Sequence, residues 1–247
     1  TYVSALTFLG APAWAYKDGL SVIAIHLNYP LVIIIVITFF FPFFYNAGVA
    51  SIYEYQEKRF GKKARALVSS IWLISQTMSS AAVLYATSIV LSYITGIPEI
   101  TAIFIVTIIA LIYTVMGGIT AVIWTDVIQS AVLFIGAGII MYALIDSSTT
   151  PVMESLAELK AQGKTNPLNF DFDLTEVTTV WSGIIAMTLY HITVYGTNQM
   201  MVQRTLAAKN IGDAKKSYLL MGFLAFFVYF FFIIMGILFY NHYQGKT

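Results

Sequence analysis

Few side chains in this sequence could do chemistry, and their rarity makes them legible. Asp126 is the sole charged residue in GGITAVIWTDVIQSAVLFIGA (117–137). His26 stands beside Asn28 and Tyr29 in an otherwise aliphatic stretch, and His191 lies in YHITVYGTNQ (190–199). A hydroxyl-rich run, SQTMSSAA (75–82), contains Ser79, and Gly10, Pro12 and Gly19 punctuate SALTFLGAPAWAYKDG (4–19). An ionisable group in apolar surroundings is costly unless it faces a partner, a cavity or an ion path. Asp126 therefore reads either as a cation or gating residue or as an acid near a helix N-terminus, held by the positive end of the helix dipole. His26 either lines a solute cavity or is a neutral imidazole seated among aromatic neighbours, and His191 either joins it or hydrogen-bonds an adjacent helix. The small hydroxylated run reads as close helix packing. A helix broken by Gly and Pro exposes carbonyls and amides that can hold ions or solute. HExxH, GxSxG and P-loop patterns are absent, so an enzyme is not expected.

The elements that position these groups follow from composition. Hydrophobic residues make up 59% of the 247 positions and charged residues 10%, and the mean hydropathy is +0.80. This is the makeup of a chain whose solvent is a lipid bilayer. Spanning segments must pair every backbone polar group internally, which leaves helices or closed barrels. Barrel strands alternate in polarity. LLMGFLAFFVYFFFIIMGILFY (219–240) does not alternate, so the fold class is an all-α, polytopic membrane helix bundle. A net charge of +1 with scattered basic residues argues against nucleic acid as a partner. Zero cysteines excludes disulfides and thiol chemistry. The sequence begins inside an apolar stretch without the basic start and cleavage pattern of a signal peptide, and it is expected to be a fragment.

At about 20 apolar residues per crossing, six full spans are expected at about 20–45, 66–94, 100–116, 119–145, 177–202 and 218–240, with a partial one at 1–14. The chain is read as a single transmembrane domain over 1–247, with 146–176 as an external loop that carries a short surface helix in VMESLAELK. Lys58, Arg59, Lys62, Lys63 and Arg65 fall in one loop, and Arg204, Lys209, Lys215 and Lys216 in another. Alternating spans put both loops on one side, which the excess of basic residues marks as cytoplasmic. The remaining basic residues, Lys17, Lys160, Lys164 and Lys246, then fall outside. Asp126 lies about seven residues, or about 10 Å, into its span. FFFPFFY (39–45) reads as lipid-facing bulk and interfacial belt.

The stretch 117–137 resembles the signature of the sodium/solute symporter family. SIYEYQEKRFGKKAR (51–65) is similar to the loop after that family's second core helix, and NQMMVQRTLAAKN (198–210) to the loop after the sixth. The resemblance implies a leucine-transporter-like core of ten helices in two inverted repeats of five, of which this chain holds the second half of core helix one through core helix seven. It implies a sodium ligand at the carbonyl of Val3 and a role for Asp126 in sodium binding or release. Solute positions in relatives fall on Ser4, Thr7, His26, Tyr29 and Ser79.

Departures from the family pattern narrow the solute. Sugar-carrying relatives have glutamine at Thr7, glutamate at His26 and lysine at Ala225, so a sugar site of that type is dismantled here. Sialic-acid carriers have arginine at Ser79, so the bidentate carboxylate clamp is lacking too. The wording of the first helix is most similar to the anion and monocarboxylate branch. The expectation is a sodium-coupled symporter in the cell membrane, plasma or inner, importing a small organic solute such as a carboxylate, with sodium as coupling ion and no other cofactor. The alternatives are a sensor or receptor on the same scaffold that does not transport, and a sugar-type symporter.

Overall fold

The computed structural model describes residues 5–147, 152–166, 168–173 and 175–243. Among these residues the fold is helical, and the only extended pairing is an isolated bridge between Asn169 and Thr179. Helix α1 is Ala5–Asp18, followed by a 3-10 stretch Gly19–His26, α2 (Tyr29–Ile35), a π stretch Val36–Phe40 and α3 (Phe41–Ala47). Then come α4 (Ile52–Phe60), α5 (Lys62–Thr95), α6 (Glu99–Asp146) and α7 (Val152–Ala161). A second broken region follows, with a π stretch Ser182–Ala186, α8 (Met187–Ile192), a π stretch Thr193–Thr197 and α9 (Gln199–Leu206), before α10 (Ile211–Tyr243).

Among the described residues, four helical stretches are long and apolar enough to cross a membrane: Thr7–Ala47, Lys62–Thr95, Glu99–Asp146 and Ile211–Tyr243. The first and third each absorb two of the expected segments. In α6 the division falls at Gly118, whose φ of 56° and ψ of −149° interrupt the helix between 117 and 119. Only glycine adopts that conformation without strain, and a straight helix of 48 residues would run about 72 Å, more than twice the bilayer core.

Two expectations are corrected. Pro12 and Gly10 do not break α1, which continues through both. The missing N–H of Pro12 costs one bond, and its carbonyl side lies so close to α10 that a Cβ on Gly236 would come within 2.2 Å of the Pro12 oxygen. Close approach through a small residue is the usual way that membrane helices pack. Nor is 177–202 a uniform span. It widens to π pitch twice and stops at Asn198, where extended backbone (φ −72°, ψ 127°) lets the side chain cap α9 through the Met200 N–H.

The core lies where α2, α8 and α10 meet. Tyr29, Val32, Ile33, Val36, Phe41, Tyr195 and Tyr218 are buried there, with Ala225, Phe226 and Tyr229 packed against them. By contrast α5 and α6 expose Leu67, Ile71, Ile94, Ile128 and Ile135, an apolar surface suited to lipid or to further polypeptide. On the connecting side, Ser51 caps α4 by accepting the Glu54 N–H at 3.1 Å. Glu54 reaches back to the Ala50 N–H at 2.8 Å, a variant of the capping box. That backbone bond, with Lys58 beside it, holds the Glu54 carboxyl below the usual carboxylate range.

The expected surface helix is α7, and the segment after it is anchored. The Lys164 carbonyl accepts the Leu20 N–H at 2.7 Å. Its ammonium donates to the carbonyls of Tyr16 and Lys17 and sits 4.4 Å from the centre of the Tyr240 ring. Further on, the Thr175 hydroxyl and N–H hold the Asp173 carboxyl below its ordinary value.

Candidate functional site

Aromatic and imidazole rings form a column at the change of pitch between the 3-10 stretch and α2. The 3-10 winding carries His26 inward, and the start of α2 places Tyr29 one turn on, so that His26 Nδ1 and the Tyr29 hydroxyl are 3.2 Å apart. The Tyr229 ring from α10 stacks on His26 with centroids 3.8 Å apart. On the other side, His191 from α8 stacks on Tyr29 at 5.1 Å, and Tyr195 meets Tyr29 edge-on at 6.1 Å. The Tyr229 hydroxyl is hydrogen-bonded to the side chains of Thr7 and Tyr29. Asn28 Nδ2 lies 2.8 Å from His191 Nδ1.

Three of the residues singled out from the sequence, Thr7, His26 and Tyr29, are thus drawn together from α1, the 3-10 stretch and α2. Tyr229 is what joins them, and it was missed because it sits unmarked in AFFVYFFF, where ring count conceals the one hydroxyl. Asn28 was noted only as a neighbour of His26; its buried contact with His191 makes it part of the site. His191 makes the hydrogen bond to an adjacent element that one of its two readings expects, through Asn28, and its ring also stacks on Tyr29. Ala225, the position of the sugar carriers' lysine, packs against the same apolar core.

Ser79 lies exposed on α5. Val3 and Ser4 lie outside the described residues. Asp126 is elsewhere: its Oδ2 pairs with Arg204 Nη2 at 3.3 Å, both side chains about a quarter exposed. A groove of about 960 Å³ runs along α1 and α10 past Phe8, Pro12, Tyr16, Met235 and Tyr240. Its lining is apolar apart from Lys17, Lys164 and the tyrosine hydroxyls, so the ring column remains the better candidate for recognising a polar solute.

The stacked rings bring together hydroxyls and imidazole nitrogens, groups that can hydrogen-bond a small polar solute. A model of the sodium:solute symporter family matches residues 1–247. The chain belongs to that family. It is 32% identical over 217 residues to sodium-coupled monocarboxylate transporter 2 of Bos taurus, covering 87% of this chain and 35% of that protein. It is 31% identical to a putative sodium-dependent multivitamin transporter of Drosophila melanogaster, with the same coverage. A solved structure of a Na+-coupled sialic acid symporter, substrate-bound and outward-open, superposes with a TM-score of 0.89 at 28% identity, covering 99% of this chain and 52% of that one. The leucine-transporter-like helical fold and a multi-pass membrane protein follow. The chain spans about a third of the length of these curated relatives.

Proposed function

We propose that the polypeptide carrying this chain is a sodium-coupled symporter of the cell membrane that imports a small organic anion by alternating access. The reading is carried by one observation: Thr7, His26 and Tyr29 converge through the Tyr229 hydroxyl on a buried ring column. Hydroxyl and imidazole donors can receive a carboxylate where no arginine is present. The Bos taurus relative, a sodium-coupled monocarboxylate transporter, supports that solute class, and the apolar packing of Ala225 speaks against a sugar. Sodium entering through about 100 mV releases about 2.3 kcal/mol before its concentration gradient is counted, enough to concentrate a solute. In this reading the Val3 carbonyl and hydroxyls of a further helix hold sodium and favour the outward-open state. Ser4 and Ser79 complete the solute site, and Asp126 receives the ion on its way to the cytoplasm. The protein is a carrier with no catalytic step.

The test is uptake by the full-length polypeptide in proteoliposomes, with carboxylates, sugars and amino acids offered under sodium and under potassium gradients. Accumulation of a carboxylate that requires the sodium gradient is expected. Binding without accumulation under either gradient would replace transport with a sensor or receptor role.

A further inference from the structure

Two buried polar atoms beside the ring column have no hydrogen-bond partner: Asn28 Oδ1 and Thr188 Oγ1. Asn28 is 1% exposed, Thr188 7% and His191 4%. Asn28 donates through Nδ2 to Nδ1 of a neutral His191, which turns its carbonyl oxygen away from the imidazole. Thr188 precedes His191 by one turn of α8, so both project from the same face, the face that meets α2. Several other threonines return their hydroxyl to a carbonyl three or four residues earlier, as Thr205 does to Met201, Thr197 to Thr193 and Thr193 to Tyr190. Thr188 does not. The residue four before it, Ile184, belongs to the π stretch Ser182–Ala186, where the carbonyls are displaced from α register.

An unmet acceptor and an unmet hydroxyl in a membrane interior call for a partner from outside the helices. A carboxylate oxygen only accepts, and leaves Asn28 Oδ1 unmet. An alcohol both donates and accepts. It can give its proton to Asn28 Oδ1 and receive one from Thr188. We infer that Asn28 and Thr188 form a subsite for a hydroxyl group of the solute, and that this pair selects hydroxylated organic anions over their deoxy analogues. The inference rests on the proposed transport function, since it places the hydroxyl end of the same solute whose acidic end meets Thr7, His26 and Tyr229.

Sodium-driven uptake by the full-length polypeptide is to be measured for 2-hydroxypropanoate against propanoate and for 3-hydroxybutanoate against butanoate. At least one hydroxylated member is expected to be preferred by about tenfold or more in kcat/KM, as for a site that hydrogen-bonds a solute hydroxyl. Thr188→Val, nearly isosteric, should move that ratio toward one while uptake of the deoxy analogue is kept, and Asn28→Ala should move the ratio in the same direction. A wild-type ratio near one for both pairs, or a ratio unchanged in Thr188→Val, overturns the subsite and leaves the two atoms to a resident water. Should Asn28→Ala fail to fold, the wild-type ratio and Thr188→Val still decide. Absence of sodium-dependent uptake of any solute would sink the transport reading instead. Thermal stabilisation of the wild type by the hydroxylated and deoxy acids would then test the subsite by itself, with equal stabilisation overturning it.

Discussion

Arg204 Nη2 and Asp126 Oδ2 meet at 3.3 Å across 78 positions of sequence, tying α9 to the second half of α6. Asp126 is therefore occupied by a protein cation in this structure, and any sodium that reaches it must compete with a guanidinium. The pairing also explains how a lone carboxylate is tolerated in so apolar a run. Its charge is met, and its backbone oxygen accepts the Ser130 hydroxyl at 2.7 Å.

Replacing Asp126 with Asn should lower sodium-driven uptake and raise the sodium concentration for half-maximal rate, with little unfolding. A partly exposed pair contributes about 1 kcal/mol or less, or about 2–4 °C in Tm for a domain of this size. Arg204→Gln should destabilise by a similar amount. In the double variant the two losses should fall short of their sum, because the partners are in contact. Sodium dependence unchanged in Asp126→Asn would remove the residue from the ion path.

Tyr229→Phe keeps the ring on His26 and deletes only the hydroxyl shared by Thr7 and Tyr29. Loss of about 1 kcal/mol of hydrogen bonding predicts a several-fold higher KM, with the folded fraction little altered. Thr7→Val should behave alike, and the pair together little worse than either. Additive losses would show that the two hydroxyls act separately.

The cap of α4 gives a pH prediction. The folded Glu54 carboxyl titrates below its unfolded value because of the Ala50 N–H and then Lys58. The stabilisation is complete above the unfolded value of about 4.3, and is lost as pH falls through the lowered folded one. Amide exchange at Ala50 and in the first turn of α4, corrected for intrinsic rate, should accelerate only below about pH 4. In Glu54→Gln that step should vanish.

Gly236→Ala is expected to disrupt the contact of α1 with α10. Its Cβ would lie 2.2 Å from the Pro12 oxygen and 2.8 Å from its Cα, both backbone atoms that cannot rotate aside. Overpacking of this kind costs about 1–3 kcal/mol or more, visible as a lower Tm or a smaller yield of folded protein. Wild-type Tm in this variant would show that the two helices separate readily.

The helical class was legible because lipid leaves so few choices, and α7 because VMESLAELK is amphipathic. Thr7, His26 and Tyr29 were reached through the family resemblance, and the structure gathers them. Tyr229 and Arg204 were hidden for a different reason: each becomes meaningful only beside a partner about 80 or more residues or several helices away, a relation that no local spacing encodes. The continuity of α1 through Pro12 was misread because local propensity disfavours it, while packing against Gly236 outweighs the cost. The π stretches were invisible for the same cause. Val36–Phe40 and Thr193–Thr197 widen where Gly196 meets the Phe40 ring, so pitch there is a product of contact.

Lys164 gives the connection between α6 and α8 a mechanical meaning. With its carbonyl on Leu20, its ammonium on the end of α1 and its cation over Tyr240, it rivets three pieces of chain at one point. Any tilt of α1 must drag that connection with it or tear the rivet first. A hinge in this molecule therefore has to be sought elsewhere than at the C-terminal end of α1, and trypsin should cut after exposed Lys160 well before it cuts after Lys164.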